Sequence, residues 1–474
     1  MTDCKKEQME FQALGGKKVV TDFSGGYLSS DGGSLLLREE SRRSQLCKDL
    51  SHCFTDRRDQ DLVDHSLEEL LKQRLFGLAL GYEDLNDHDR LRCDPLIAVA
   101  CDKKDPLGND RREEDRGKAL AAHSTLNRLE LTCVKENSRY HKIQPDFEKI
   151  EDCLVEKGVK SIPSCSKEVV LDFDATDDPL HGAQEGRHFH GYYGHYCYLP
   201  LYCFCGNIPL WAQLRDCKRD ASDGTEQALE KIVKALRKRF GKKLRIIVRG
   251  DSGFCRDTLM SWCEQHNIYY CFGLARNSRL ETEIEPLMQE VKERFEHSES
   301  KEACRDFKEF EYSTLKTWSC KRRVIAKAEV LPRGENPRFI VTNISDKGFD
   351  GDDKDRFQAQ RCYEEFYCAR GDMENRIKEQ QMDLFADRTS TGNMKSNQLR
   401  LWFSTFAYLL IERLRAGVLK HTRYARATSG SIRLRLFKIA AMVQISARRI
   451  HVRLASACPD QDVFRSVASK LCSS

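Results

Sequence analysis

No apolar run in this sequence reaches the ~20 residues that a membrane-spanning helix needs. The longest, Leu401 to Ile411, is about a dozen residues long and reads as a buried helix. The start, MTDCKKEQMEF, has no apolar core, so no signal peptide is expected, and the chain is expected to be soluble and cytoplasmic with no membrane partner. There is no C-x-x-C pair; the closest spacing is Cys203-x-Cys205. The 21 cysteines are therefore read as scattered buried thiols rather than a disulfide framework or a structural zinc site. Neither G-x-G-x-x-G nor a Walker sequence occurs, which leaves the glycines of KKVVTDFSGGYLSSDGG as turn formers rather than a phosphate cradle. Internal repeats and low-complexity segments are also missing.

What is present is enough for several folded domains: 474 residues, 40% hydrophobic and 32% charged. A net charge of +5 says little, but its distribution is uneven. Residues 391–474 hold 15 Lys and Arg against three acids, Glu412, Asp460 and Asp462. Clustered rather than averaged charge attracts phosphate, although a solvated basic face would give the same count.

Along the chain, Ser34 is expected to cap a helix LLLREESRRSQL, and helices are expected at Ser66–Tyr82, Leu96–Cys101 and around Ser124–Leu129. Residues 1–135 thus read as a mainly helical N-terminal domain, with a DNA-reading helix-turn-helix as one option. From residue 168 the pattern changes. Val169–Asp174, Tyr198–Cys205 and Pro209–Arg215 read as a three-strand meander, followed by a helix at Thr225–Phe240 and a buried strand at Leu244–Arg249. A helix at Asp257–His266 and a strand at Tyr269–Leu274 complete the series. The order β-β-β-α-β-α-β is that of an RNase H-like fold. Residues 276–360 read as a β-rich insertion. A long helix is expected from about Phe357, and another at Asn397–Arg415.

Three acids stand out. Asp172 and Asp174 share one face of a strand while Leu171 and Phe173 share the other. Carboxylates on an inner strand need a partner, and either a hard cation or an arginine would serve. Asp174, nearer the strand end, is preferred. Asp251 directly follows the strand LRIIVRG, where the plain alternative is a helix cap. Gly250-Asp-Ser-Gly looks like a serine-protease segment, but it lies between a buried strand and a helix, the wrong context for that chemistry. The third acid, Glu374, lies in YEEFYCARGDMENRIKEQQ. Tyr363, Tyr367, Arg370, Glu374 and Lys378 are spaced to stack on one face of a helix, beside an apolar stripe of Cys362, Phe366, Ala369, Met373 and Ile377. Ordinary i,i+4 ion pairs would explain the charges equally well. The histidines of RHFHGYYGHYC, His188, His190 and His195, are read as having backbone or structural roles rather than as metal ligands, since oxygen-rich sites suit Mg²⁺ better.

These residues resemble a family. LDFDATDDPLHG, HGYYGHYCYLPLYCFCG, RGDSGF and YCARGDMENRIKEQQ are similar to segments of bacterial insertion-sequence DDE transposases, the cut-and-paste group whose third-acid helix carries Tyr-(2)-Arg-(3)-Glu-(6)-Lys. Tyr367, Arg370 and Glu374 fit that spacing; the Lys position is Gln381, and the nearest base is Lys378. The resemblance spans roughly residues 20–455. It implies an α/β fold: an RNase H-like mixed-sheet catalytic core (166–275 and 361–417) interrupted by the β-rich insertion, with the helical N-terminal domain and a basic C-terminal region (418–474). It also implies Asp174, Asp251 and Glu374 as catalytic metal ligands for two Mg²⁺ or Mn²⁺ ions ~3.5–4 Å apart. Asp174 would bridge the ions; Arg370 and Lys378 would neutralise phosphate, Tyr367 would position the DNA backbone, and Trp318 of the insertion would stack on a base. The implied partners are double-stranded DNA, both element ends and target, and a second copy of the chain in the synaptic complex, in a bacterial, nucleoid-associated setting. The implied function is binding of terminal inverted repeats with DNA cleavage and strand transfer. Alternatives are an RNase H-like nuclease that cuts without integrating, and an inactive transposase-derived DNA-binding protein.

Overall fold

The computed structural model describes residues 8–131, 141–299, 302–345 and 355–473. The boundary expected at residue 135 and residues 346–354 of the expected insertion lie outside them. Two compact units result: Met1–Asp146 with Phe406–Ser474, and Phe147–Thr405. Among the described residues, no helix is long and apolar enough to cross a membrane, and no disulfide joins the described cysteines.

The first unit is built on helices Ser34–Ser44, Leu67–Leu80, Pro95–Ala100 and His123–Glu130. Leu67–Leu80 starts at a reciprocal cap: Ser66 Oγ accepts from the Glu69 N–H, and the Glu69 carboxylate accepts from the Ser66 N–H. Ser34 is not the cap that its sequence context suggests. It is the first helical residue, and Gly33 precedes it. A side chain at position 33 would come within 2.0 Å of the Leu436 carbonyl oxygen, so the capping place admits only glycine.

That close approach reflects a larger difference. The basic segment expected as a separate region, 418–474, shares this unit with the N-terminal residues. Strand Ala441–Ser446 pairs with Arg449–Leu454 on one edge and with Tyr27–Ser29 on the other. Part of the positive charge of residues 391–474 is neutralised within this unit. Arg413 pairs with the buried Glu40 at 2.7 Å, Lys438 with the buried Asp31 at 2.7 Å, and Arg423 with Asp460 and Asp462.

The second unit holds a mixed nine-stranded sheet. It is flanked by helices Phe147–Ser161 (α1), Thr225–Phe240 (α2), Asp257–Gln265 (α3) and Ser278–His297 (α4). Its principal strands are Glu168–Ala175 (β1), Leu201–Cys205 (β2), Ile208–Gln213 (β3), Arg245–Gly250 (β4), Tyr269–Leu274 (β5), Cys304–Tyr312 (β6), Arg322–Leu331 (β7) and Arg338–Thr342 (β8). Their spatial order is β3-β2-β1-β4-β5-β8-β7-β6. β1, β4 and β5 run parallel, and the outer pairs are antiparallel. The strands expected as an inserted element therefore extend the central sheet from the β5 edge rather than forming a sheet of their own.

One face of this sheet is covered by residues 357–366. Phe357, Cys362, Tyr363 and Phe366 pack with Ile247, Cys271, Ile325 and Ile340. The expected single long helix is broken here. Ala359–Arg361 is α-helical, Cys362–Tyr367 is a π-turn, Cys368–Arg370 is a 3₁₀ turn, and only Gly371–Leu384 (α5) is regular. The changes of pitch shift the helix phase. Ala369, expected in the apolar stripe, is exposed, while Tyr363, expected in the polar row, is buried.

Candidate active site

Register across the parallel strands sets the site. Arg249 on β4 lies opposite Asp172 on β1 and Cys271 on β5. These three side chains form one row on the face covered by residues 357–366. Two residues further along the chain lie Asp174 on β1, Asp251 just past the end of β4, and Gly273 on β5.

The first row is closed. Arg249 donates to both Asp172 oxygens, at 2.6 Å and 2.8 Å, and also to the Phe366 carbonyl. Both side chains are nearly out of solvent, at 6% and 10% exposure. Burial raises the Asp172 pKa, and the Arg249 hydrogen bonds and charge oppose it. Asp172 is therefore a structural ion pair that ties the π-turn to the sheet.

The second row is open. Asp174 Oδ1 accepts from the Ala175 N–H, and Asp251 Oδ1 accepts from the Gly253 N–H as the cap of a short 3₁₀ turn. Arg370 approaches Asp174 only to 3.9 Å and Glu374 to 3.6 Å, beyond hydrogen-bonding length. Burial pushes the Asp174 carboxyl up to about 7; Arg370 opposes this, and the charges of Asp251 and Glu374 add to it. Burial alone would loosen the Arg370 proton, but the carboxylates, Asp174 foremost, outweigh it and raise its pKa.

Gly273 completes the row by having no side chain. A Cβ there would lie 2.5 Å from the Tyr367 hydroxyl and 2.9 Å from the Ser252 nitrogen. Tyr367 thus fills the space above β5, beside Asp251 and in hydrogen-bonding contact with Arg370; burial pushes its hydroxyl up to about 12. Its ring packs against the core and lies 5.7 Å from that of Tyr363.

Of the residues singled out from sequence, Asp174, Asp251, Glu374, Arg370 and Tyr367 come together. Lys378 lies one turn beyond Glu374 on α5 and is exposed. Trp318 lies in the loop between β6 and β7. There its ring packs edge-on to Tyr312 at 5.7 Å, with the Arg322 guanidinium 5.6 Å away. Among the described residues, no group of three or more His, Cys, Asp or Glu side chains is already gathered as a metal site. The donor set nonetheless suits a hard cation: three carboxylates share one arginine, none of them in a tight ion pair with it. Sequence reasoning did not find Gly273, nor Tyr193, whose pKa burial and the Asp177 and Asp174 charges push up to about 12. It also missed the bond of His195 to Asp177 at 2.7 Å. For Tyr193 and His195 the only signal was the crowding of aromatics and histidines in RHFHGYYGHYC.

Compared with known families, residues 11–474 match the one described as transposase DDE domain group 1. The chain belongs to this family. It is a DDE transposase, an enzyme of DNA transposition and recombination. No curated protein matches this transposase. A cryo-EM structure of the piggyBac transposase synaptic complex with hairpin DNA has a TM-score of 0.37 and 10% identity to it. The likeness covers 81% of this chain and 76% of that one.

Proposed function

We propose that this transposase cuts and joins DNA at the inverted repeats of a bacterial insertion sequence, using Asp174, Asp251 and Glu374 on an RNase H-like core to hold two Mg²⁺ or Mn²⁺ ions. The observation that carries the reading is the open row: two carboxylates side by side at the ends of adjacent parallel strands, with a third brought over them on α5 and a single arginine at 3.6–3.9 Å from two of them. When bound, the divalent ions would activate the attacking oxygen and stabilise the leaving one in an in-line displacement at phosphorus. The remaining work falls to the chain's own groups. Asp174 accepts a proton readily in the absence of cations and gives it up when positive charge arrives, so cation binding and proton release are coupled there. Arg370 holds the carboxylates against mutual repulsion, and with a cation bound to them it would be available to a phosphate oxygen. Tyr367, wedged above Gly273, fixes the position of Arg370.

Lys378, exposed on α5, is a phosphate contact in this reading, and Trp318 a DNA contact of the β6–β7 loop. The first unit, with its basic C-terminal segment, would grip the element ends, and two copies would pair in the synaptic complex. The test is cleavage of DNA carrying the element's inverted repeats, with Mg²⁺ or Mn²⁺. Asp174→Asn, Asp251→Asn and Glu374→Gln should each abolish cutting while leaving DNA affinity intact. Cutting that survives all three would overturn the reading. Cutting without joining would support a nuclease instead.

A further inference from the structure

Position 381 carries glutamine where the family resemblance places lysine, and its surroundings explain why an amide fits. Gln381 lies seven residues beyond Glu374 on α5. Seven residues are close to two helical turns, so both side chains leave the same side of the helix. The Gln381 Nε2 donates to Asp178 Oδ1 at 3.0 Å and to the Asp177 carbonyl at 3.3 Å. Asp178 lies four residues after Asp174, in the short strand Asp178–Pro179, opposite Tyr198. It is fully buried.

Among the described residues, no cation acts on Asp178. The charged groups that act on it are Asp387 and Asp177, and burial pushes its carboxyl up to about 8. Its Oδ2 has no hydrogen-bond partner, and neither does the hydroxyl of the fully buried Tyr202, which feels the Asp178 charge. Tyr202 itself lies opposite Asp174 in the β1–β2 register. A lysine at 381 would be drawn into this pocket as a buried ion pair instead of reaching outward. An amide donates to the acid without bringing a charge.

We propose that the Asp178–Gln381 hydrogen bond is a positioning lock: it ties the segment after Asp174 to the helix that carries Glu374, and so sets which way the third carboxylate faces. The inference rests on the reading of the acid site given above. Asp178 and Gln381 are positioning residues in it, not ligands.

The lock is tested in the full-length protein by strand cleavage at saturating inverted-repeat DNA in Mn²⁺, with DNA affinity and thermal melting measured alongside. Gln381→Leu and Asp178→Ala should each slow cleavage by about 10- to 100-fold, the size expected for a small misplacement of a reacting group. DNA affinity should stay within about twofold, and the double variant should be no worse than either single one. Asp178→Asn should cleave close to the wild-type rate, because its carbonyl oxygen still accepts from Gln381. Wild-type cleavage by Gln381→Leu would overturn the proposal. So would an Asp178→Asn as slow as Asp178→Ala, since the charge itself would then be what matters. Where Asp178→Ala does not fold, Gln381→Leu and Gln381→Met decide. Asp174→Asn separates the two levels. If it is inactive while Gln381→Leu is not, only the lock fails; if it cleaves normally, the site reading fails.

Discussion

Asp172 and Asp174 leave the same strand on the same face, two residues apart, and each meets an arginine from another element. Arg249 clasps Asp172 through two short hydrogen bonds, whereas Arg370 stays 3.9 Å from Asp174 and 3.6 Å from Glu374. Asp172 has one arginine to itself; Asp174 shares one with two other carboxylates. Buried charges in a settled structure are paired and hydrogen-bonded. The departure from that rule is what separates the site from the scaffold beside it, and it appears within 2 residues of chain.

The sharpest way to break the comparison is to neutralise each acid. Asp174→Asn should lower DNA cleavage by on the order of 10³–10⁴-fold, a loss of several kcal/mol of transition-state stabilisation. Its melting temperature should hold or rise, because a buried, like-charged carboxylate is removed. Asp172→Ala should do the reverse in kind. Stranding Arg249 should cost about 3–5 kcal/mol of stability in chemical denaturation, and Asp172→Leu with Arg249→Met should recover much of it. If Asp172→Ala melts normally and loses only activity, the division between the two acids is wrong.

A third test reaches the site from outside the acids. Gly273→Ala should push Tyr367 off β5 and cost about 1–3 kcal/mol, as overpacking does. Cleavage should fall further than in Tyr367→Phe, which removes the hydroxyl but not the ring. The fourth concerns pH. The Asp174 carboxyl, near 3.8 ordinarily, is raised to about 7 in the folded protein. The folded state thus holds the proton more tightly, so stability is greatest below pH ~4 for this group and declines as pH rises toward ~7. Metal-free melting curves should show that decline, less steep in Asp174→Asn, and the stabilisation by Mn²⁺ should grow over the same window. The smallest effect is expected at Trp318. Trp318→Ala should cost about 0.5–1.5 kcal/mol from the lost edge contact with Tyr312. A large loss of cleavage there with normal DNA affinity would make the β6–β7 loop part of the chemistry.

Much of this contrast was legible in sequence, and the reason is local. The alternation of Val169, Leu171 and Phe173 with Val170, Asp172 and Asp174 puts both acids on one face whatever the fold. Asp251 follows an apolar strand that has only one plausible place, the sheet interior. Sequence favours Asp174 over Asp172 only by its place nearer the strand end; the physical difference between them lies in Arg249 and Arg370, 77 and 196 residues away from their respective partners. The π-turn at Cys362–Tyr367 was illegible for a different reason. The spacing of these residues fits an even 3.6-residue period, and the Phe366 carbonyl within the π-turn accepts from Arg249, 117 residues away in sequence. The shared unit of N- and C-terminal segments depends on pairing between Tyr27–Ser29 and Ala441–Ser446, a contact that no local pattern announces.

The most direct test is a Mn²⁺ titration of the DNA-free transposase, followed by the loss of free-ion signal and by proton release at pH 7. Saturable binding with proton release is expected for the wild type and for Gln381→Leu, and its loss in Asp174→Asn and Glu374→Gln. Unchanged Mn²⁺ uptake in Asp174→Asn would contradict the claim that the open row of carboxylates is the ion site.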